Sequence, residues 1–474
     1  MSVRRRRLPV SPQWAVSIAA ALAVIGFVGY AQWNGSPERV QFATSVQQVL
    51  AEQVTTLEAD QEDLRVQLAA AEAQVLDFQT ASTTSSSALA EVNRRLEAAR
   101  LAVGLTPLRG PGVVIEISDS KRVIPEGENP ANYIVLVDDL RDIVVALWAS
   151  GAEAIAINGE RLVATSSIYG VGASVLVNTA FLSPPFRIEA IGSEGLLDRF
   201  DANPAFKGRV AQRIEVFGLE YASQAANSLE LAAFVGNTRF RWAVPTEGVP
   251  EVKGLVAQAT MFAVAVLIGM MGVGQLNSQA RPLEVSRLSA TELSTLIETL
   301  TDRNRELRAG LADIREQVRQ YEVSGPQSES ALQVSREDLR RITAFGGLAP
   351  VNGQGIVMEI NGNLDAIAVN DLVNELRNAG AEAIAVDAIR ITARSVATEG
   401  PRAIEIDGVE VGERFTLRAI GSPDGLLGAM ERPGGIISQL KLFIKATIQI
   451  RQAESVELPA SAVSLEPVIG TPVE

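Results

Sequence analysis

A shift of 243 residues lays this chain on itself. It carries Leu50, Leu57, Gln61 and Leu64 onto Leu293, Leu300, Asn304 and Leu307, and Gly110, Gly112 and Glu116 onto Gly353, Gly355 and Glu359. Further along the offset falls to 229: Gly151 to Ala156 and Gly380 to Ala385 both read Gly-Ala-Glu-Ala-Ile-Ala, and Ala190-Ile191-Gly192 matches Ala419-Ile420-Gly421. Ser228-x-Glu230-Leu231 likewise matches Ser455-x-Glu457-Leu458. The change in offset is an insertion of 14 residues in the first copy, around Ile124 to Tyr133. Two copies of one apolar pattern can build two cores of one kind, so the repeat predicts two like units in tandem.

Each copy opens on an uncharged stretch. The first runs from Leu8 to Gly35 with Trp14, Tyr30 and Trp33 near its ends, and follows the basic run Arg4 to Arg7. It reads as a helix crossing a hydrocarbon core of about 30 Å; a cleaved signal peptide is the rival. The second, Gly254 to Ala280, contains the apolar run Met261 to Val273 and reads the same way, against a buried core helix.

A heptad pattern follows each stretch. Leu50, Leu57, Leu64 and Phe78 alternate with Val54, Gln61, Leu68 and Val75; in the second copy Leu293, Leu300, Leu307, Ile314 and Tyr321 alternate with Ile297, Asn304, Leu311 and Val318. Seven-four spacing sustained over several heptads predicts coiled coils, the alternative being a helix packed on its own domain. Gln61 and Asn304 place an amide at the same core position, where a polar residue can set register. Ser/Thr/Gly-rich breaks, Ser82 to Ser87 and Ser324 to Ser328, then lead into shorter helices.

The remainder of each copy alternates short strands and helices. In the first, strands are expected at 113–117, 152–157, 162–168, 174–178, 186–191 and 213–219, with helices over 133–150 and 194–202. The fold class expected is α+β: two membrane-anchored units, each a transmembrane helix, a coiled coil and a small ferredoxin-like α/β sandwich. The predicted divisions are a basic cytoplasmic N-terminus (1–13), transmembrane helices (14–33 and 254–277), stalks (38–103 and 283–345), α+β domains (104–235 and 346–460), a linker (236–253) and a flexible tail (461–474).

A basic N-terminus, a span, a coil, Gly-x-Gly-Val-Val at Gly110 to Val114, a helix ending in Gly-Ala-Glu-Ala-Ile, and Ala-Ile-Gly together resemble the YlxW-like family of bacterial proteins, a family of unknown function. The second copy, with Leu372-Val373-Asn374-Glu375-Leu376-Arg377-Asn378-Ala379-Gly380-Ala381-Glu382-Ala383-Ile384, is the more similar. The resemblance covers nearly the whole chain in two units and implies a membrane-anchored envelope protein linked to cell division. It implies no catalytic residues.

Chemistry is sparse. The chain has neither histidine nor cysteine, which removes serine–histidine triads, thiolate nucleophiles and histidine or cysteine metal sites. A net charge of −14 argues against nucleic acid as a partner. The Gly110/Gly112 and Gly353/Gly355 pairs precede a strand and open no helix, so they read as turn glycines and not as a phosphate cradle. Glu153 and Glu382 read as solvent-facing or helix-capping. Asn158, Arg161, Asp387 and Arg390, paired at the offset of 229 at a strand end and in the loop beyond, are the candidates for binding a small anion or a partner's carboxylate, a local ion pair or turn contact being the favoured alternative. No acidic group has metal spacing, and no cofactor is expected.

Two expectations about placement compete. With Arg4 to Arg7 inside and two spans, the first coil and domain lie outside a bacterial cytoplasmic membrane and the second coil and domain return to the cytoplasm. Yet Glu58, Asp60 and Glu72 flank the first coil's core, with Arg65 against the trend, while Arg303, Arg308 and Arg315 flank the second's, which favours a mixed pair of coils on one side. The function expected is a non-catalytic scaffold of the cell envelope associating with the membrane, with itself through its coils, or with envelope and division proteins. A sensor for a small anionic ligand is the alternative, and a hydrolase using only carboxylates comes third.

Overall fold

The computed structural model describes residues 37–81, 87–171, 174–246, 289–324, 329–444 and 446–473. The chain divides into two units, one of residues 1–59 with 284–299 and one of residues 60–283 with 300–474. In the first, the described residues belong to the early turns of two long helices, α1 (Pro37–Ala81) and α6 (Ala290–Ser324), with Val54, Leu293 and Leu296 buried. Both α/β domains and the rest of the two helices lie in the second unit.

There, α1 and α6 run side by side in parallel. Leu64, Leu68, Ala71 and Val75 share one buried cluster with Leu307, Leu311, Ile314 and Val318, each partner 243 residues on, and the Phe78 ring stacks on Tyr321 at 5.9 Å. Gln61 and Asn304 are both buried at one level of this seam. Asp60 meets Arg308 at 3.7 Å, and Arg315 Nη2 donates to Gln67 Oε1 at 2.7 Å. The mixed pairing that the coil charges favoured therefore forms within one chain. The shorter helices α2 (Ser87–Val103) and α7 (Glu329–Phe345) continue the pairing through Leu96, Ala99 and Val103 against Leu339, Ile342 and Phe345.

The first domain runs β1 (Leu108–Ser118), α3 (Val137–Ala149), β2 (Ala152–Ile157), β3 (Glu160–Arg161), a small antiparallel sheet β4 (Ile168–Val171), β5 (Ser174–Val177) and β6 (Ala180–Leu182), then β7 (Phe186–Gly192), α4 (Leu196–Ala202), α5 (Ala211–Phe217) and β8 (Glu220–Leu231). Leu140, Ile143, Val144 and Leu147 recur at helical spacing and give α3 one apolar face, which packs on Val113, Ile115 and Ile117 of β1. The main sheet is antiparallel in the order β8-β1-β7-β2-β3. Counting the four principal strands along the chain, that order is fourth, first, third, second, the split β-α-β arrangement.

The second domain repeats it: β10 (Val351–Asn361), α8 (Ala366–Asn378), β11 (Ala383–Val386), β12 (Ile389–Arg390), the small sheet β13 (Ala397–Glu399), β14 (Ile404–Ile406) and β15 (Val409–Val411), then β16 (Arg414–Ile420), α9 (Pro423–Met430), α10 (Ile436–Phe443) and β17 (Thr447–Leu458), in the order β17-β10-β16-β11-β12.

The copies exchange strands. Beyond the first domain, β9 (Val244–Pro245) pairs with β10 of the second, Val351 opposite Pro245; beyond the second domain, β18 (Thr471–Pro472) pairs with β1 of the first, Leu108 opposite Pro472. Residues within the predicted linker and within the predicted tail thus supply short edge strands, each to the other copy.

The membrane-anchored fold class is corrected: no helix among the described residues is long and apolar enough to cross a membrane. The segments 14–33 and 254–277 and the basic run Arg4 to Arg7 lie outside the described residues. Placement of the two domains on opposite faces of a bacterial cytoplasmic membrane fails for a second reason. Two domains that exchange strands and share a coil occupy one side of any barrier.

Two local readings change as well. Residues 211–217 form α5, and the last strand is β8, whose outward-facing residues are too polar to show a clean alternation in sequence. The paired glycines lie inside β1 and β10 at a bulge, not in turns. A Cβ at Gly112 or Gly355 would strike the carbonyl of Ala190 or Ala419 on the neighbouring strand, so glycine permits the close approach.

Candidate functional site

The repeated Gly-Ala-Glu-Ala-Ile-Ala motif holds the exchanged strands. Glu382 accepts the backbone N–H groups of Arg241 (2.6 Å), Trp242 (2.8 Å) and Ala243 (2.7 Å) just before β9. Glu153 accepts those of Val468 (2.9 Å), Ile469 (2.9 Å) and Gly470 (2.9 Å) just before β18. Each carboxylate thus gathers three donors from the opposite copy's extension, a charge-assisted clasp. Burial raises the pKa of Glu382, and the three N–H donors oppose that shift.

The four candidates for anion binding, Asn158, Arg161, Asp387 and Arg390, lie on or beside the β2–β3 and β11–β12 hairpins. Asn158 and Gly159 both have positive φ, 47° and 85°, the backbone of a tight hairpin turn between β2 and β3, and Asp387 takes the same left-handed geometry at 48°. Asn158 Oδ1 accepts from Arg187 N at 2.6 Å, and Asp387 Oδ1 from Thr416 N at 2.8 Å. Arg161 and Arg390 are on β3 and β12, buried, where the sequence suggested a loop. The Arg390 guanidinium donates to the carbonyls of Ala344 (3.1 Å), Ala349 (3.4 Å) and Pro459 (3.2 Å), and burial lowers its pKa to about 10. Arg161 is lowered to about 10 by burial and by the nearby cation of Arg394, and donates to the Ala232 carbonyl at 3.5 Å. Gln61 and Asn304 occupy the coil seam described above.

A cavity of about 330 Å³ lies between α3 of the first copy and α8 of the second, large enough for a small molecule. Part of its lining falls into pairs at the offset of 229, among them Asp142 with Asp371, Val144 with Val373 and Trp148 with Arg377. Both copies therefore present the same helix face, and the cavity exists only because the two halves meet. Asn374 of α8 closes one side, accepting from Ile168 N (3.2 Å) and donating to Ile168 O (3.1 Å) across the boundary. Arg141 holds the same carbonyl through Nε (3.1 Å) and Nη2 (2.9 Å).

The charges of the cavity are largely matched. Asp142 is buried against Arg209 at 2.6 Å; desolvation raises its pKa to about 7 despite that partner, and Asp371 adds to the rise. Asp371 faces Arg141 at 3.9 Å and is raised by desolvation. Glu399 accepts the Ala366 N–H at the start of α8 (2.8 Å). Arg377 differs. Its Nη2 donates to the Thr392 carbonyl at 2.9 Å, its enclosed Nε has no acceptor, and burial alone lowers its pKa to about 10.

Sequence reasoning passed over Asp142, Asp371, Trp148 and Arg377, though the offset of 229 held a signal: an acid kept at one position of a helix in both copies, and an aromatic exchanged for a cation two turns on. What no offset shows is that the two helix faces meet. Among the described residues no group of three or more acids could hold a metal ion.

Comparison with known proteins assigns no activity. UPF0749 protein Rv1825 of Mycobacterium tuberculosis is 26% identical over 185 residues, 38% of this chain and 62% of that protein. UPF0749 protein YlxW of Bacillus subtilis is 38% identical over 98 residues, 21% of this chain and 42% of that protein. The chain spans less than two thirds of the length of either. A crystal structure of an uncharacterized conserved protein from Mycobacterium tuberculosis matches at 27% identity with a TM-score of 0.26, covering 28% of this chain and 96% of that one. The profile of the family described as "Bacterial protein of unknown function (DUF881)" matches twice, at residues 95–244 and 338–468, so the chain belongs to that family as a tandem of two such units.

Proposed function

We propose that the chain is a non-catalytic interaction protein, a pair of like domains fused so that each copy always meets the other. The reciprocal exchange of β9 and β18, clasped by Glu382 and Glu153, carries this reading. A pair made in one chain presents a head of fixed composition on a paired coil, at a stoichiometry that concentration cannot change. The absence of histidine and cysteine leaves carboxylates as the principal acid–base groups, and the cavity acids are engaged by arginines. Two measurements test the reading. Affinity purification of the intact chain should recover a defined set of proteins that is lost when either copy is deleted. The purified chain should turn over no ester, phosphoester or glycoside substrate; turnover abolished by Asp142→Asn together with Asp371→Asn overturns the proposal.

A further inference from the structure

Beyond a role in assembly, we infer that the cavity between α3 and α8 is a binding site for a small amphipathic anion, a monocarboxylate or similar head group on one apolar arm, with the head at Arg377 and the arm toward Trp148. The duplication itself supplies the first argument. Equivalent positions of equivalent helices line the cavity, yet one copy contributes Trp148 and the other Arg377, so the two helices differ in chemistry where an exact repeat would make them alike. A cation from one helix and an aromatic ring from the other, lining one cavity, suit a ligand with a polar head and an apolar arm.

The second argument is the charge left over. Arg141 faces Asp371, Arg209 faces Asp142, and Glu399 sits on the start of α8, whereas Arg377 is in no ion pair among the described residues and its enclosed Nε lacks an acceptor. Arg377 is part-buried, its Nη2 is held by the Thr392 carbonyl and its Nε is closed off from the cavity, so an anion supplied from outside would meet this cation at the remaining nitrogen, Nη1, in a charge-assisted hydrogen bond. The third argument is the wall, where Val144, Leu162, Ile367 and Val396 give the arm apolar surface to pack against.

The test uses the full chain and three amphiphiles of one length: decanoate, decanol and decyltrimethylammonium, each below its micellar concentration, titrated calorimetrically and by displacement of anilinonaphthalene sulfonate. Decanoate should bind at one site per chain, at least tenfold tighter than decanol, and the cation should be weaker still. Arg377→Gln should remove that tenfold preference while leaving decanol binding unchanged, and Arg377→Lys should restore part of it. The Lys variant keeps the test decisive if the Gln variant folds poorly. Equal binding of decanoate and decanol, preference for the cation through Asp142 and Asp371, binding of none of the three, or an unaltered decanoate affinity in both Arg377 variants each overturns the inference.

Discussion

A single carboxylate in each copy does more for this fold than its place in the sequence indicates. Glu382 accepts three consecutive N–H groups from the other copy, so Glu382→Ala strands two part-buried donors, those of Trp242 and Ala243, and releases the exposed one of Arg241 to water. A loss of about 2–4 kcal/mol in unfolding free energy is expected, given roughly 1–3 kcal/mol for each buried group left unsatisfied and some rescue by water. Denaturant melts would measure it, and exchange of the amides of residues 241–243 should accelerate before global unfolding; unchanged exchange there defeats the assignment. Asp142 carries a pH signature. Its pKa in the folded chain, about 7, lies above the ordinary 3.8, so between those values the folded state holds a proton that the unfolded state releases. Its contribution to stability is therefore fully present below about pH 4 and is lost as pH rises toward 7, with a slope of at most about 1.4 kcal/mol per pH unit. Melting temperatures from pH 4 to pH 7 should fall more steeply in the native chain than in Asp142→Asn. Parallel curves would show that Asp142 titrates normally.

At the scale of elements, the coil combines two features legible in sequence, the heptads and the charges, with one that was not. Heptads predict association without saying which strands associate, because any apolar seam of the same period serves. Pairing of α1 with α6 brings Gln61 and Asn304 to one buried level, where an amide pair lowers stability and holds register. Replacing both by leucine should raise the denaturation midpoint and admit chain dimers or higher species at micromolar concentration, read by light scattering. A double variant that is no more stable, and remains strictly monomeric, argues against a register role. The strands tell a similar story in reverse. β1 and β2 were evident as apolar runs, but β8 alternates weakly and β9 and β18 are two residues each, too short to leave a periodic trace.

At the scale of the whole molecule, both α/β domains and the greater part of the paired helices lie in one unit. The chain has no cysteine, so a pair introduced at Phe78 and Tyr321, whose rings stack at 5.9 Å, reports on the pairing without background. Mild oxidation of Phe78→Cys with Tyr321→Cys should give an internally crosslinked monomer of increased gel mobility. Disulfide-linked dimers in its place would mean that coils pair between chains.

The amino-acid sequence by itself determined the duplication, the heptads, the order of most principal strands and helices, and the poverty of catalytic groups. These follow from local periodicity and composition, which a linear reading can see. Only the tertiary structure decided that the coils pair with each other, that the segments after each domain cross to the opposite copy, and that Asp142, Trp148, Asp371 and Arg377 line one cavity. Residues 229 or 243 positions apart meet because two like units bury complementary apolar faces and unpaired sheet edges against each other. The repeat itself was visible in one dimension, but the contact between its copies depends on the packing of surfaces.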